Sequence, residues 1–174
     1  MIGRVKICIV SDSHDRAEAL VQAVRSAKEK GAEAVIHCGD VIGAQTLRPV
    51  MAAELPMHVI HGNNVGDPMA LVKLTNSSGG LLQYHGQDAR IELGGRRIFV
   101  VHYPEYGHAM ACTGDWDLVC CGHSHNAGVQ QIKNIKGSTT WLVNPGTVAG
   151  LAAPATWALG DLAAMRFEVF SIAA

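Results

Sequence analysis

The sequence predicts a single α/β domain, residues 1–174, in which two β-sheets pack face to face and helices cover their outer faces. Two observations support this fold class. Strand-like and helix-like patterns alternate in the first third of the chain, which favours a parallel sheet. Short strand-like segments with glycine-containing turns follow, which favours hairpins and therefore a second sheet. A chain of 174 residues is long enough for one sizeable core and short for two.

The first elements follow a β-α-β-α-β order. Gly31 is expected to cap the first helix, and Pro49 is expected either to kink or to start the second. The predicted elements are a strand at 5–10, a helix at 16–31, a strand at 32–40, a helix at 43–54 and a strand at 56–64. Because each helix connects two successive strands, this part of the chain predicts parallel pairing.

The segment at 63–80 has no regular pattern and ends as a loop. Beyond it, glycine-containing turns at 86–87 and 94–95 predict hairpins. The predicted elements are strands at 81–85, 89–93 and 96–102, a short helix at 104–114, and strands at 116–122, 128–135, 139–146 and 164–172. No internal repeat, charge block or long linker indicates a domain boundary.

The composition argues against several classes of protein. Lys and Arg number 14 against 15 Asp and Glu, so a net charge of -1 provides no field that would hold a polyanion such as duplex DNA. Five cysteines, an odd number, predict reduced core thiols rather than a disulfide framework. No segment has the pattern of a signal peptide or a membrane span, so we expect a soluble cytoplasmic protein.

Polar side chains follow five of the predicted strands at the point where each strand ends. They are Asp12 and His14, Asp40, Asn63, His102, and His123 with His125. Ligands of α/β proteins bind at the carboxyl ends of strands. In an extended chain residues i and i+2 project to the same side, so the Asp-x-His and His-x-His pairs would each present two ligand atoms in one direction. Gly39, Gly62 and Gly122 precede three of the ligands and permit a close approach of the backbone to an ion.

This ordered set of residues resembles the calcineurin-like metallophosphoesterase superfamily. The short length, the Val-Ser-Asp-Ser-His-Asp segment at 10–15 and the Asn-Pro-Gly segment at 144–146 resemble more narrowly its small bacterial and archaeal phosphodiesterase branch. The resemblance extends over residues 5–148. It implies a four-layer αββα sandwich of two mixed β-sheets flanked by helices, with a two-metal site.

The resemblance also implies which residues would hold two divalent ions. Asp12, His14 and His125 would hold the first ion, Asn63, His102 and His123 the second, and Asp40 would bridge both. Of these, Asp40, Asn63 and His102 would also be catalytic residues. A mixture of imidazole, carboxylate and amide ligands suits borderline ions. Manganese is the expected metal on the resemblance alone, with Zn, Fe, Co and Ni as alternatives.

The activity implied is hydrolysis of a small phosphodiester by attack of a metal-bridging hydroxide on phosphorus. Two divalent ions, two carboxylates and one hydroxide leave a net charge of about +1, which a diester monoanion neutralises. The alternatives are a phosphatase or nucleotidase of broader specificity and a non-catalytic scaffold on the same fold. A cysteine-based redox or zinc-storage protein is disfavoured, because the chain has no Cys-x-x-Cys motif.

Three positions bear on how the chain differs from its wider family. Many relatives have histidine, and the small branch often cysteine, directly after the metal-binding asparagine; here the residue is Asn64. An amide cannot donate a proton as an acid does. Tyr103 stands where glycine is usual. His108, six residues beyond His102, is a candidate to reach the substrate from a helix facing the site.

The hydrophobic content of 48% also suggests self-association. Trp116, Trp141 and Trp157 and the strand pattern at 139–143 indicate apolar surface that a second copy would cover. We therefore expect a homo-oligomer, either a dimer or a tetramer.

Overall fold

The computed structural model of the protein describes residues 5–172 and contains two mixed β-sheets. The predicted domain bounds also include residues 1–4 and 173–174, which lie outside the described part. The strands of the first sheet are β1 (Lys6–Val10), β2 (Ala32–His37), β3 (Met57–Val59), β4 (Leu82–Tyr84), β10 (Thr156–Asp161) and β11 (Arg166–Ser171). Those of the second are β5 (Asp88–Leu93), β6 (Arg96–Val101), β7 (Leu118–Cys120), β8 (Gly128–Lys133) and β9 (Thr139–Asn144).

Parallel strands occupy the middle of each sheet. The first sheet has the order β11-β10-β1-β2-β3-β4, in which the pairs from β1 to β4 are parallel and the pairs involving β10 are antiparallel. The second has the order β5-β6-β7-β9-β8, with a parallel centre and antiparallel edges. The carboxyl ends of the parallel strands in the two sheets meet, because the His123 N–H after β7 donates to Asp12 Oδ2 after β1, and His102 Nδ1 after β6 is hydrogen-bonded to Cys38 O after β2.

Helices lie on the two outer faces. They are α1 (Ala17–Glu29), α2 (Pro68–Ser77) and α3 (Pro104–Cys112), together with short 3-10 helices at Ala44–Thr46 and Pro49–Ala53. α1 and α2 pack on the first sheet and α3 packs on the second. No helix within residues 5–172 has both the length and the apolar character needed to cross a membrane.

Alternation along β1 shows how the layers are joined. Ile7 and Ile9 belong to the core between the sheets, whereas Cys8 and Val10 belong to the core under α1. All four side chains are fully buried, as expected for a central strand covered on both faces. α1 buries Leu20, Ala23, Val24 and Ala27 at helical spacing against this sheet. The fold is therefore the four-layer αββα sandwich that the sequence predicts.

Four element predictions need correction. The segment predicted as irregular contains α2, whose first turn is capped by the Asp67 carboxylate, which accepts from the Met69 and Ala70 N–H groups. β4 does not form a hairpin with β5 but pairs in parallel with β3, so the turn at 86–87 carries the chain from one sheet to the other. β10 was missed. The predicted helix at 43–54 is two 3-10 helices, and Pro49 starts the second.

Candidate metal centre

The residues predicted to bind metal all lie in loops directly after the carboxyl ends of β1, β2, β3, β6 and β7. Backbone hydrogen bonds connect these loops to one another. The Asp40 N–H donates to His61 O over 2.7 Å, and the His14 N–H donates to Asp40 O over 3.0 Å. The loop after β1 is also connected to the chain after β9, because the Ala149 N–H donates to Asp12 O. The ligand-bearing loops therefore form one continuous network.

The first cluster consists of Asp12, His14 and His125, whose ligand atoms lie within 4.8 Å of one another. Asp12 Oδ1 is 3.2 Å from His125 Nε2 and 3.8 Å from His14 Nε2. The other oxygen, Oδ2, accepts a hydrogen bond of 3.0 Å from the His123 N–H. The backbone after β7 therefore turns Oδ1 of this carboxylate toward the two imidazoles.

The second cluster consists of Asp12, Asp40 and His102, whose ligand atoms meet the same 4.8 Å limit. His102 Nε2 lies 3.4 Å from Asp40 Oδ1 and 4.0 Å from Asp12 Oδ1. Asn63 Oδ1 lies 2.9 Å from the same His102 nitrogen. This places Asn63 on the His102 side of the site, as predicted.

Asp40 lies between the two sets of imidazoles. Its Oδ2 is 3.6 Å from His14 Nε2, and its Oδ1 is 3.4 Å from His102 Nε2. Each carboxylate oxygen therefore faces one set, which is the arrangement that a bridging ligand requires. Asp12 belongs to both clusters as well, so the boundary between the two sets is less sharp than the predicted assignment.

His123 belongs to neither three-residue cluster. Its ring lies edge-on to His102, with ring centroids 5.1 Å apart, and to Tyr103, with centroids 4.7 Å apart. Its side chain is therefore beside the second cluster, to which the prediction assigned it.

Hydrogen bonds at the far side of two rings determine which nitrogen faces the site. His102 Nδ1 lies 2.8 Å from Cys38 O, and His125 Nδ1 lies 2.7 Å from Leu151 O. A carbonyl oxygen only accepts, so both Nδ1 atoms must carry the hydrogen. In the neutral rings Nε2 then presents a lone pair to the carboxylates. A backbone carbonyl holding the outer nitrogen of a ligating imidazole is a recurrent feature of metal sites.

The residues present fit a divalent metal ion. Asp12 Oδ1 and His14 Nε2 are buried and have no hydrogen-bond partner among residues 5–172. An unpaired buried acceptor costs about 1–3 kcal/mol, and here several acceptors face one another. A cation between them relieves both penalties. Imidazole nitrogens with carboxylate and amide oxygens are the donors that Mn, Fe, Co, Ni and Zn accept.

Backbone conformation differs from the extended form assumed for the Asp-x-His and His-x-His pairs. Five of the seven candidate ligands have a positive φ: Asp12 (54°), His14 (41°), Asp40 (56°), His123 (64°) and His125 (59°). Non-glycine residues rarely adopt this left-handed conformation, and such strain concentrates at functional sites. The two side chains of each pair approach the same site because the backbone is left-handed at both residues. The chain is not extended there, contrary to what the prediction had assumed.

Two glycines make room for the carboxylates, as predicted. A Cβ on Gly62 would lie 2.4 Å from Asp40 Oδ1, and Gly62 has a φ of +79°. A Cβ on Gly122 would lie 1.9 Å from Ser11 Oγ and 2.8 Å from Asp12 Oδ2. Both contacts are shorter than any side chain tolerates, so only glycine allows these loops to pass so close to the ligands.

Asn64 is a site residue whose position the sequence did not predict. Its N–H donates to Asp40 Oδ1 over 2.8 Å, and its side-chain Nδ2 donates to Asp40 Oδ2 over 2.6 Å. The side chain is thus directed at the predicted bridging carboxylate. The direct succession of two asparagines after β3 was the only available signal.

His37, at the end of β2, connects two of the ligand loops. Its Nδ1 accepts from the Gly39 N–H, so its Nε2–H donates to Ser13 Oγ over 3.0 Å. Burial, followed by the nearby His102, lowers the pKa of His37 to about 3. The neutral ring therefore supports both the loop carrying Asp12 and the loop carrying Asp40.

Asn144, the first residue of the Asn-Pro-Gly segment, supports the loop after β7. Its Nδ2 donates to Gly122 O over 2.9 Å and to Ser124 Oγ over 3.0 Å. Its Oδ1 accepts from the Gly146 N–H over 3.0 Å. These bonds hold both sides of the loop that carries His123 and His125.

Two other sequence hypotheses find no support at the site. His108 is exposed on α3 and belongs to neither cluster of candidate ligands within the described residues. The cysteines are unpaired, and burial raises the pKa of the Cys38 thiol and raises that of Cys121 to about 12. A raised pKa makes the Cys38 and Cys121 thiols poor nucleophiles, which argues against a redox role for these two residues.

Comparison with known proteins identifies the family. A model of the calcineurin-like phosphoesterase superfamily domain matches residues 5–165. The chain is 24% identical over 155 residues to a phosphodiesterase of Methanocaldococcus jannaschii, with 84% of this chain and 86% of the relative covered. It is 30% identical over 148 residues to a probable metallophosphoesterase of Bacillus subtilis, with 83% and 75% covered.

A solved structure gives the same result for the fold. An archaeal phosphodiesterase superposes with a TM-score of 0.86 at 21% identity, covering 96% of this chain and 99% of the other. The family model and the relatives each cover most of the chain. The protein therefore belongs to the calcineurin-like phosphoesterase superfamily, a family of metal-dependent hydrolases of phosphate esters.

Proposed function

We propose that this protein is a phosphodiesterase that uses two bound divalent ions to hydrolyse a small phosphodiester. Manganese is the expected metal. The observation that carries the proposal is the position of Asp40, whose two oxygens face His14 on one side and His102 on the other. The unpartnered, buried Asp12 Oδ1 supports it further. The similarity to proteins named as phosphodiesterases points to the same class of substrate.

The proposed ligands fall on two sides of Asp40. One ion would be held by Asp12, His14 and His125 and the other by Asn63, His102 and His123, with Asp40 shared between them. When bound, divalent ions supply a hydroxide nucleophile at neutral pH and stabilise the charge that builds on the transferring oxygens. The chain contributes the preorganisation, because Cys38 O and Leu151 O hold His102 and His125 in orientation.

Charge favours a diester over a monoester. Two divalent ions and two carboxylates leave a net charge of about +2, which a hydroxide and a diester monoanion together neutralise. A monoester dianion would need a further cation. No Lys or Arg within residues 5–172 makes an ion pair or a hydrogen bond with the proposed ligands, so the chain offers no such cation there.

Departure of the leaving group receives no acid from the position next to Asn63. The Asn64 amide is engaged with Asp40 and has no acidic proton. The proton for the departing oxygen must then come from water or from a more distant group such as His108. Rates should fall steeply as the leaving group becomes more basic, since general acid help worth about 10²- to 10⁴-fold is absent.

The cytoplasm is the proposed location. The five cysteines are unpaired in the structure, in agreement with a reducing compartment. The homo-oligomer expected from the sequence stays a prediction.

Metal analysis combined with turnover tests the proposal. Protein saturated with Mn should contain two ions per chain and hydrolyse bis(4-nitrophenyl) phosphate, with much lower efficiency on 4-nitrophenyl phosphate. Asp40→Asn should retain the folded circular dichroism spectrum but lose at least about 100-fold in turnover, because one carboxylate serves both ions. Glu33→Gln, an exposed carboxyl-to-amide substitution on β2 outside the clusters, is the matched control.

The alternatives give different results in the same assay. One ion per chain at saturation would contradict the two-metal arrangement. Two bound ions with no turnover of any ester would indicate a scaffold, and equal efficiency on the monoester would indicate a phosphatase or nucleotidase of broader specificity.

A further inference from the structure

An open cleft adjoins the His102 side of the metal centre, and the proposed function does not use it. Its volume is about 120 Å³, and its walls include His61, Gln87, His102, Tyr103 and Tyr106. Because His102 is both a proposed metal ligand and a wall of the cleft, a molecule whose phosphate lies at the metal centre can extend directly into it.

One wall is a row of aromatic rings that runs outward from the metal centre. Tyr103 is edge-on to His102 and to Tyr106, with ring centroids 5.4 Å and 5.6 Å apart. Tyr103 and Tyr106 are three residues apart at the start of α3, which places them on one side of the helix. Tyr106 is 59% exposed, which leaves a large aromatic face accessible beside the site.

The position of this wall is set by close packing of α3. A Cβ on Gly107 would lie 3.2 Å from Leu142 Cδ1 and 3.3 Å from Cys121 Cβ, so the helix lies directly on the second sheet. Pro104 occupies the first helical position, where its fixed φ suits the start of a helix. The two tyrosines therefore stand on a rigid element rather than on a mobile loop.

The facing wall carries polar groups. His61 Nδ1 is hydrogen-bonded to the Tyr84 hydroxyl over 2.5 Å, and the His61 N–H donates to Gly86 O over 2.9 Å. The Gln87 side chain, which offers both a donor and an acceptor, is exposed at the rim. The cleft thus combines an aromatic face with hydrogen-bonding groups at its edge.

Size and charge limit what can enter. Sites that hold a whole small molecule have volumes of roughly 300–1,000 Å³, so this cleft accommodates only part of one. None of its lining residues, all within the described part of the chain, is a lysine or an arginine. A second phosphate or an acidic group would find no cation there, so the lining favours a neutral occupant. The aromatic wall favours a planar ring.

We propose that this cleft binds the nucleobase of a nucleoside phosphodiester, with the base stacked on Tyr106 and edge-on to Tyr103 while the phosphate lies at the metal centre. The proposal rests on the proposed function, since it identifies the substrate class of the same site. A heteroaromatic base fits better than a plain aryl ring, because only the base has donors and acceptors for Gln87 and the polar edge.

Two substrates that differ only in the base provide the kinetic test. They are the 4-nitrophenyl diesters of adenosine 5'-phosphate and of ribose 5-phosphate, which share sugar, phosphate and leaving group. In the Mn-loaded wild type, kcat/KM should be about 5- to 150-fold higher for the adenosine diester, the range expected for one stacked base. Tyr106→Ala should reduce this ratio to near unity, Tyr106→Phe should keep it, and His108→Gln, exposed on the same helix, should leave it unchanged. A ratio near unity in the wild type would overturn the proposal.

Binding without turnover provides the second test. Adenosine carries no phosphate, so it can be titrated by NMR into metal-free protein. We expect shifts at Gln87, Tyr103 and Tyr106 in the wild type, at least about fivefold weaker binding in Tyr106→Ala, and no change in His108→Gln. Equal affinity for phenol, or equal binding by Tyr106→Ala, contradicts the nucleobase assignment. If adenosine binds as expected but no diester is hydrolysed by the metal-loaded protein, the proposed function fails while the cleft assignment stands.

Discussion

At the residue scale, Asn64 shows how a side chain outside the ligand set can control the metal centre. Its backbone and side chain each donate to a different oxygen of Asp40, at 2.8 Å and 2.6 Å. One lone pair on each oxygen is thereby occupied, and those remaining are left for His14 and His102 on the two sides. Asn64 therefore acts by orienting the carboxylate, which is a different role from that of an acid beside the leaving group.

Removal of the Asn64 side chain should weaken metal binding. We expect Asn64→Ala to lower the affinity for Mn by about 10- to 100-fold, because Asp40 loses the bond that fixes its Oδ2. Isothermal titration calorimetry on metal-free protein measures the effect directly. Asn76→Ala, an exposed substitution on α2, is the control and should bind Mn as the wild type does. Wild-type affinity in Asn64→Ala would show that the backbone bond alone orients the carboxylate.

The candidate ligands could be predicted because strand ends and residue types are visible in the sequence. Asp12, Asp40 and His102 all follow buried apolar runs and lie together as expected. The direction of the Asn64 side chain could not be predicted, because it depends on the left-handed φ of 56° at Asp40 and on the path of the next loop. The same holds for His37, whose partners come from a loop 24 residues away.

At the scale of secondary structure elements, α2 and β4 determine how the chain passes from one sheet to the other. α2 spans only Pro68–Ser77, and its apolar residues form a short continuous run at 69–72 with Leu74 rather than a helical stripe, so the pattern does not indicate a helix. The Asp67-Pro68 pair at its start was the available signal, since it combines an N-cap with proline at the first position. β4 was predicted as a strand, but its partner could not be read from its three residues.

Loss of the Asp67 cap should destabilise the protein. Asp67 Oδ1 accepts from two N–H groups of the first turn, and replacing such a cap with alanine costs about 1 kcal/mol. For a chain of this size Asp67→Ala should lower the Tm by about 2–4 °C, as measured by circular dichroism. Lys73→Ala, exposed in the middle of the same helix, is the matched control. An equal Tm in both variants would mean that the cap contributes nothing to α2.

At the scale of the whole molecule, the sequence predicted the layers, whereas the association inferred from the tryptophans stays a prediction. Trp157 is 1% exposed and stacks on Phe170, with ring centroids 4.8 Å apart. Trp141 packs against Phe167 at 5.3 Å, and its strand β9 lies between two others in the second sheet. Trp157 belongs to the core of one copy, whereas Trp141 and Trp116 are only partly buried against it. A dimer or tetramer remains a prediction, and light scattering at high micromolar concentration tests it.

Histidines buried away from the metal centre should make the stability of the whole fold depend on pH. His58 Nδ1 and His85 Nε2 are 3.0 Å apart. Burial, followed by the neighbouring His85, lowers the pKa of His58 to about 4, and burial also lowers the pKa of His85. In the unfolded chain both imidazoles take up a proton near their ordinary pKa of about 6.5. As the pH falls from 6.5 toward 4, protons bind the unfolded state first, so the folded state loses stability over that window.

The pH dependence can be assigned to this pair by substitution. We expect the free energy of unfolding of the chelator-treated protein to be lower at pH 5 than at pH 7. His58→Gln should reduce this difference by about 1 kcal/mol, a value that allows for solvent screening at the partly exposed pair. Urea unfolding at pH 7 and at pH 5 gives the free energy of unfolding at each pH. The quantity compared between variants is the difference between these two free energies. Chelation removes the contribution of metal ligands. His108→Gln, exposed on α3, should keep the wild-type difference. If His58→Gln also keeps it, the acid sensitivity arises from other histidines.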